Sequence, residues 1–229
     1  MPRAPKESDE ALLTRALSVF RAWGYDGASL SRLSEATGLK RASLYHRFPG
    51  GKEEIARETL AALRRWVEAK VVGPLRKPGD PRARLAAAAQ AFSALYDAGH
   101  ESSLVNLFAA PAEAPPSLLE GVQEILSAMT AALSAVLEEA GFPEDEARRR
   151  AVRGLVLIEG AVVVSRSFRD PAPFREVTAH WVDDLLHGIR LAASTPSPAQ
   201  PKKAAGNDPN ADVRRAVARH LAQLSGKTA

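Results

Sequence analysis

The chain has 229 residues, 45% of them apolar and 25% charged, proportions that suit a globular protein with a real core. It contains no cysteine, which excludes disulfides, thiolate zinc sites and thiol nucleophiles. The net charge of +4 hides a division: residues 1–66 hold 12 Lys+Arg against 8 Asp+Glu, residues 67–193 hold 13 against 17, and residues 194–229 hold 6 against 2, so two basic ends flank an acidic body and the ends are the parts suited to a polyanion.

In chain order, the opening "MPRAPKESDE" has no apolar stretch of the signal-peptide kind. No segment reaches the ~20 apolar residues of a membrane span, so a cytoplasmic protein with no membrane partner is expected. Leu13, Ala16, Leu17, Phe20 and Trp23 recur at the helical period, with Ser8 or Asp9 as N-cap and Gly24 as the stop. Ser29–Thr37 and Arg41–Phe48 read as two short helices around Gly38. A long helix follows from about Lys52 to Val72, with Ala56, Leu60, Leu63, Val67 and Val71 on one face, before "GPLRKPGDP" breaks the chain.

Leu85, Ala89, Phe92 and Tyr96 mark the next helix, ending near Gly99. "SSLVNLFAA" is a short helical piece stopped by "PAEAPP". Leu118, Val122, Ile125, Met129, Leu133 and Val136 form a stripe closed by Gly141. Pro143 opens a helix to about Phe168, with Glu144, Asp145 and Glu146 at its positive end. A last body helix is expected from Phe174 to Ala193. Residues 194–210 form a Pro, Ser and Lys linker, and residues 211–224 an amphipathic basic helix. Nearly every periodic segment is helical and no convincing alternating strand appears, which predicts an all-α fold.

The segment from Ser29 to Glu54, "SLSRLSEATGLKRASLYHRFPGGKEE", carries four cations between Lys40 and Lys52 and no acid in that interval. In a helix-turn-helix, a first helix braces a second that lies in the DNA major groove. Leu33, Leu39 and Leu44 suit the apolar pins, Ser34 the small crossing residue, Gly38 the positive-φ turn, and Ser29 the cap. Lys40, Arg41, Arg47 and Lys52 bracket the second helix and favour phosphate. Ser43, Tyr45 and His46 are polar groups able to reach phosphates or base edges from it.

Together with the preceding "WGYDGAS", these residues closely resemble the DNA-binding domain of the TetR family of transcriptional repressors. The doubled glycine of "FPGGKEE" resembles the LmrA/YxaF-type branch. The resemblance covers residues 8–66, with the motif at about 29–48. It implies an all-α homodimer whose three-helix head reads double-stranded operator DNA. A larger domain, residues 67–193, would bind a small-molecule effector of unknown identity and dimerise. Carried over by position, Ser29, Ser31, Arg32, Lys40, Ser43, Tyr45, Arg47 and Lys52 would touch phosphates. Lys40, Arg41, Ala42 and His46 would sit nearest the bases.

In the body, "LVLIEGAVVVSRSFRDPAPF" resembles the penultimate helix of that branch. The family's four-helix interface then implies Val156, Val163, Phe174, Trp181, Leu185 and Ile189 as dimer contacts, with Gly160 and Gly188 allowing close approach. Glu159 must be paired or hydrogen-bonded inside such a helix. Arg166, two turns on, is its expected partner, either as a structural ion pair or as a polar contact with the effector. Leu104, Leu107, Phe108, Met129 and Leu133 are the remaining candidates for an effector cavity, against plain core. His180, Asp184 and His187 share a helix face but lack a fourth ligand, so no metal or cofactor is expected.

An enzyme is the rival class, but no Gly-rich phosphate loop, no serine elbow and no nucleophile with its base is present. A DNA-binding protein without a ligand would share every residue of the head. The tail helix either docks on the body or adds non-specific DNA affinity through Arg214, Arg215 and Arg219.

Overall fold

The computed structural model describes residues 9–103 and 115–187. Leu104, Leu107, Phe108, Gly188 and Ile189, together with the linker and tail helix, lie outside the described residues. Within them every regular element is helical: α1 Asp9–Gly27, α2 Leu30–Thr37, α3 Arg41–Arg47, α4 Gly51–Val67, α5 Gly73–Arg76, α6 Pro81–Leu95, α7 Pro116–Glu139, α8 Glu144–Phe168 and α9 Ala172–Leu186. The all-α expectation holds.

The head is α1 to α3 with the first half of α4. Leu12, Leu13, Ala16 and Phe20 of α1 meet Leu33, Leu44, Ile55 and Ala56 in one buried cluster. Two of the three expected pins, Leu33 and Leu44, are buried, and Leu39 packs partly exposed against the same core. Ser29 caps α2 by accepting the Arg32 amide. Gly38 ends it at φ 69°, where its N–H meets the Glu35 carbonyl; any side chain there would pay for the left-handed backbone. The Ser34 hydroxyl donates to the Leu39 carbonyl at 2.5 Å, tying the turn shut from inside.

Two expectations need correction here. Trp23 stands on the α1 stripe by period, yet it is 55% exposed; the backbone turns at Gly24 (φ 65°, ψ 179°), and it is Tyr25, beyond the turn, that is buried. The long fourth helix does not break at Val72. It widens into a π-turn over Glu68–Val72, whose bond from Gly73 N–H to the Glu68 carbonyl carries the path on into α5. The wider turn gives Pro74, which has no N–H and would crowd the carbonyl four residues back, room to follow.

The body is built on α6 to α9, with α4 running into it from the head. Ala56, Leu60, Leu63, Val67 and Val71 are all buried. Gly121 lies so near Leu60 that a Cβ would fall 2.6 Å from its Cδ2, which sets how closely α4 and α7 approach. The α7 stripe from Leu118 to Val136 is buried as the period predicts. After Ala140, the Gly141 N–H meets the Glu138 carbonyl and the Phe142 N–H meets the Leu137 carbonyl, the paired closure that satisfies a helix end. Pro143 is the N-cap of α8 rather than its first helical residue. The last described helix begins at Ala172 and ends at Leu186, since His187 is extended at ψ 134°.

Candidate DNA interface and the body behind it

Short α3 offers one buried anchor, Leu44. Lys40, Arg41, Ala42, Ser43, Tyr45 and His46 are exposed, a polar and cationic face turned away from the core. The first turn of α2 adds exposed Ser29 and Ser31. The Arg41 guanidinium donates to the Ser31 hydroxyl, so the leading ends of α2 and α3 are joined on one surface. Arg41 and Ser31 are thereby brought together.

Arg47, Arg32 and Lys52 are also engaged within the head. Arg47 is ion-paired to Asp9 at the start of α1, so it clasps α3 to α1. The Arg32 guanidinium lies 4.0 Å from the centre of the Trp23 ring and donates to the Gly27 carbonyl at 2.7 Å. The Lys52 ammonium lies 4.3 Å from the Tyr25 ring and donates to the Tyr25 carbonyl at 3.2 Å. Neither aromatic residue is legible as a partner from the sequence alone. The signal was the Trp-Gly-Tyr order, in which a kinking glycine sends its two neighbours different ways.

Behind the head, Arg21 of α1 donates to the Leu95 carbonyl at 2.8 Å and pairs with Glu101 at 3.4 Å. The Ser102 hydroxyl donates back to the Arg21 carbonyl at 2.6 Å. Sequence reasoning missed this lock between α1 and the end of α6. With α4, these helices border a cleft of about 300 Å³ lined by Leu13, Leu17, Arg21, Thr59 and Trp66, among others.

Glu159 is not paired with Arg166. Its two carboxylate oxygens accept hydrogen bonds from the Tyr96 and Ser103 hydroxyls, while Arg166 is exposed. Burial pushes the Glu159 carboxyl above the usual carboxylate range, and the Ser103 and Tyr96 hydrogen bonds oppose that shift. The positions explain the error: residues 159 and 166 share a helix face, but Tyr96 and Ser103 arrive from the turn after α6. Met129 and Leu133 are buried in the common core.

The proposed dimer contacts divide. Phe174, Trp181 and Leu185 are buried inside the chain's own body and are corrected from interface to core. Phe174 meets Tyr96 edge-on and closes against Gly99. Trp181 meets Phe92 edge-on, and its Nε1 donates to the Gly154 carbonyl at 2.9 Å. Val156 and Val163 are instead exposed, and so are Val152, Val164 and Phe168 of the same helix. Gly160, between them, has open space where a Cβ would lie. His180, Asp184 and His187 are all exposed, and no cluster able to hold a metal occurs among the described residues.

Residues 12–59 match the family model for bacterial regulatory proteins of the TetR family. Residues 81–180 match the model for the C-terminal domain of LmrA/YxaF-like transcriptional regulators. The chain is 25% identical to the HTH-type transcriptional regulator LmrA of Bacillus subtilis over 183 residues, 79% of this chain and 97% of that protein. It is 27% identical to YxaF, an HTH-type transcriptional regulator of the same organism, over 73% of this chain and 89% of that one. Its fold is shared by a TetR regulator from Legionella pneumophila, at TM-score 0.69 and 21% identity, covering 79% of this chain and 98% of that chain. It is shared also by the regulator FadR of Bacillus subtilis in complex with stearoyl-CoA, at TM-score 0.61 and 18% identity over 79% and 99%. Helix-turn-helix head, helical body and both family matches agree: the chain belongs to the TetR family of DNA-binding transcriptional regulators, with a C-terminal domain of the LmrA/YxaF-like type.

Proposed function

We propose that this chain is a cytoplasmic repressor that binds a palindromic operator as a homodimer and leaves it when a small molecule fills the body. The observation that carries the DNA half is the exposed cationic face of α3, joined to the α2 end through Arg41 and Ser31. Lys40, Ser43 and Tyr45 serve the phosphates on this reading, with Ser29, Ser31, Arg32 and Lys52 flanking them. Lys40, Arg41, Ala42 and His46 lie against base edges. One such module contacts too few bases to choose a genomic site, so two copies on a two-fold sequence are required.

The dimer half rests on the α8 stripe. Val152, Val156, Gly160, Val164 and Phe168 recur every four residues and are exposed, an apolar row that a second copy would cover. The effector half is supported by a stearoyl-CoA-bound relative in fold and by Glu159, a partly buried carboxylate held by two hydroxyls, which suits an effector carrying a hydrogen-bond donor. Arg166, with Ser103 and Val163, borders a second small depression beside it. The test is to select bound sequences from genomic DNA, footprint the best duplex, and challenge the complex with metabolites of the neighbouring genes. A two-fold footprint released by one compound class is expected. A footprint without two-fold symmetry defeats the dimer half, and indifference to every compound favours a regulator without a ligand.

A further inference from the structure

The DNA reading leaves one exposed aromatic unexplained. Trp23 is 55% exposed on the head, and its face is occupied by the Arg32 guanidinium. Gly24, at φ 65° and ψ 179°, turns the backbone between Trp23 and Tyr25. Tyr25 goes inward and stacks on Phe20, with ring centres 6.4 Å apart and planes 6° from parallel. Trp23 goes outward. Each ring then carries a cation from a different helix: Tyr25 holds Lys52 of the first turn of α4, and Trp23 holds Arg32 of the first turn of α2.

We propose that Trp23 is a positioning residue for DNA binding, which holds the Arg32 guanidinium ready for a backbone phosphate. This rests on the reading of Arg32 as a phosphate contact and deepens it. The planar guanidinium lies over the indole at 4.0 Å, and one N–H is fixed on the Gly27 carbonyl at 2.7 Å. Its remaining N–H groups have no partner among the described residues. A free arginine loses several rotatable bonds on meeting a phosphate. One already stacked has lost them before DNA arrives, so binding avoids that cost. Close beside the indole runs the Gly27 backbone, where a Cβ would stand 3.2 Å from the Trp23 Cβ. The parallel pairing of Tyr25 with Lys52 shows the kinked end of α1 serving two cations at once.

The experiment measures affinity of the full chain against salt, using a duplex recovered by genomic selection and a random-sequence duplex of equal length. Arg32→Ala should weaken both and reduce the salt slope by about 0.9 per subunit, one phosphate contact each. Trp23→Ala should weaken both by roughly two- to tenfold per subunit with the salt slope kept, because the contact still forms from a disordered arginine. Trp23→Phe should restore most of the affinity. Trp23→Ala added to Arg32→Ala should cost nothing more in DNA affinity, with every variant fully folded at the assay temperature. An equal loss from Trp23→Ala in both backgrounds would overturn the proposal, as would no loss at all in the otherwise native chain. An Arg32→Ala chain with an unaltered salt slope would instead remove the phosphate reading beneath it.

Discussion

Replacing Val156 by glutamate separates the two surfaces of α8. Val156 is 63% exposed, so the protomer loses little burial and its stability should change by no more than about 0.5 kcal/mol. In the proposed dimer the same side chain is covered in both copies. Covering the exposed part of one valine is worth about 1 kcal/mol, or about 2 kcal/mol for the pair. Each glutamate must also leave water beside a like charge across the two-fold axis, at several kcal/mol per ion. The sum exceeds about 5 kcal/mol, so the dimer dissociation constant should rise by more than about a thousandfold. Sedimentation equilibrium over a concentration series reads that shift, and circular dichroism melting confirms that the monomer stays folded. Operator affinity should collapse in parallel, while weak non-specific binding persists. A Val156→Glu chain that sediments as a dimer of native affinity would refute the assignment of the α8 stripe.

Trp181→Ala should act on the other surface, lowering unfolding stability by about 3–5 kcal/mol and leaving the Gly154 carbonyl without its indole donor; urea titration measures this, and a stably folded monomer would return Trp181 to the interface. Glu159→Gln should alter the pH dependence of folding. Because burial raises the folded-state pKa of Glu159, the native chain binds more protons than the unfolded one from about 4.5 upward and loses stability as pH rises through that window. The glutamine variant lacks this loss, so its advantage over the native chain should grow with pH and then level off; a constant difference in melts between pH 4 and 8 would contradict the burial. Lys52→Ala should weaken all duplexes alike and reduce the salt slope, whereas His46→Ala should relax preference at one operator position by roughly 1–3 kcal/mol. Quantitative binding to a set of single-base operator variants distinguishes the two, and a sequence-dependent loss from Lys52→Ala would reverse the roles.

The head was legible in the sequence because its determinants are local. A serine cap, a left-handed glycine, two buried leucine pins and a one-signed run of charge all act within about twenty residues, and each has its own physical signature. Ser29 and Gly38 do in space what their residue types dictate. The side of a helix that meets its own core is a different kind of fact. In α8 the run "LVLIEGAVVV" is apolar nearly all round, and its period cannot rank Ile158 against Val156. Only the packing of α7 and α9 against it buries Ile158, Ala161 and Val162 and leaves Val156, Val163 and Val164 outside. The same packing drew Phe174, Trp181 and Leu185 into the core, where their size and the open backbone at Gly154 let α8 and α9 close together. Glu159 shows the limit most sharply. Along the helix its natural partner was Arg166, but hydrogen-bond acceptors are satisfied by whatever donor the fold delivers, and the turn after α6 delivered Tyr96 and Ser103. Trp23 failed in the opposite sense: its period placed it in the core, but the chain turns at Gly24 and delivers Tyr25 there, while Trp23 stays on the surface beside Arg32. Sequence determines which local structures form and which chemistry they carry; the meeting of residues far apart in the chain decides which face is inside, because burial is a property of the neighbours a residue acquires.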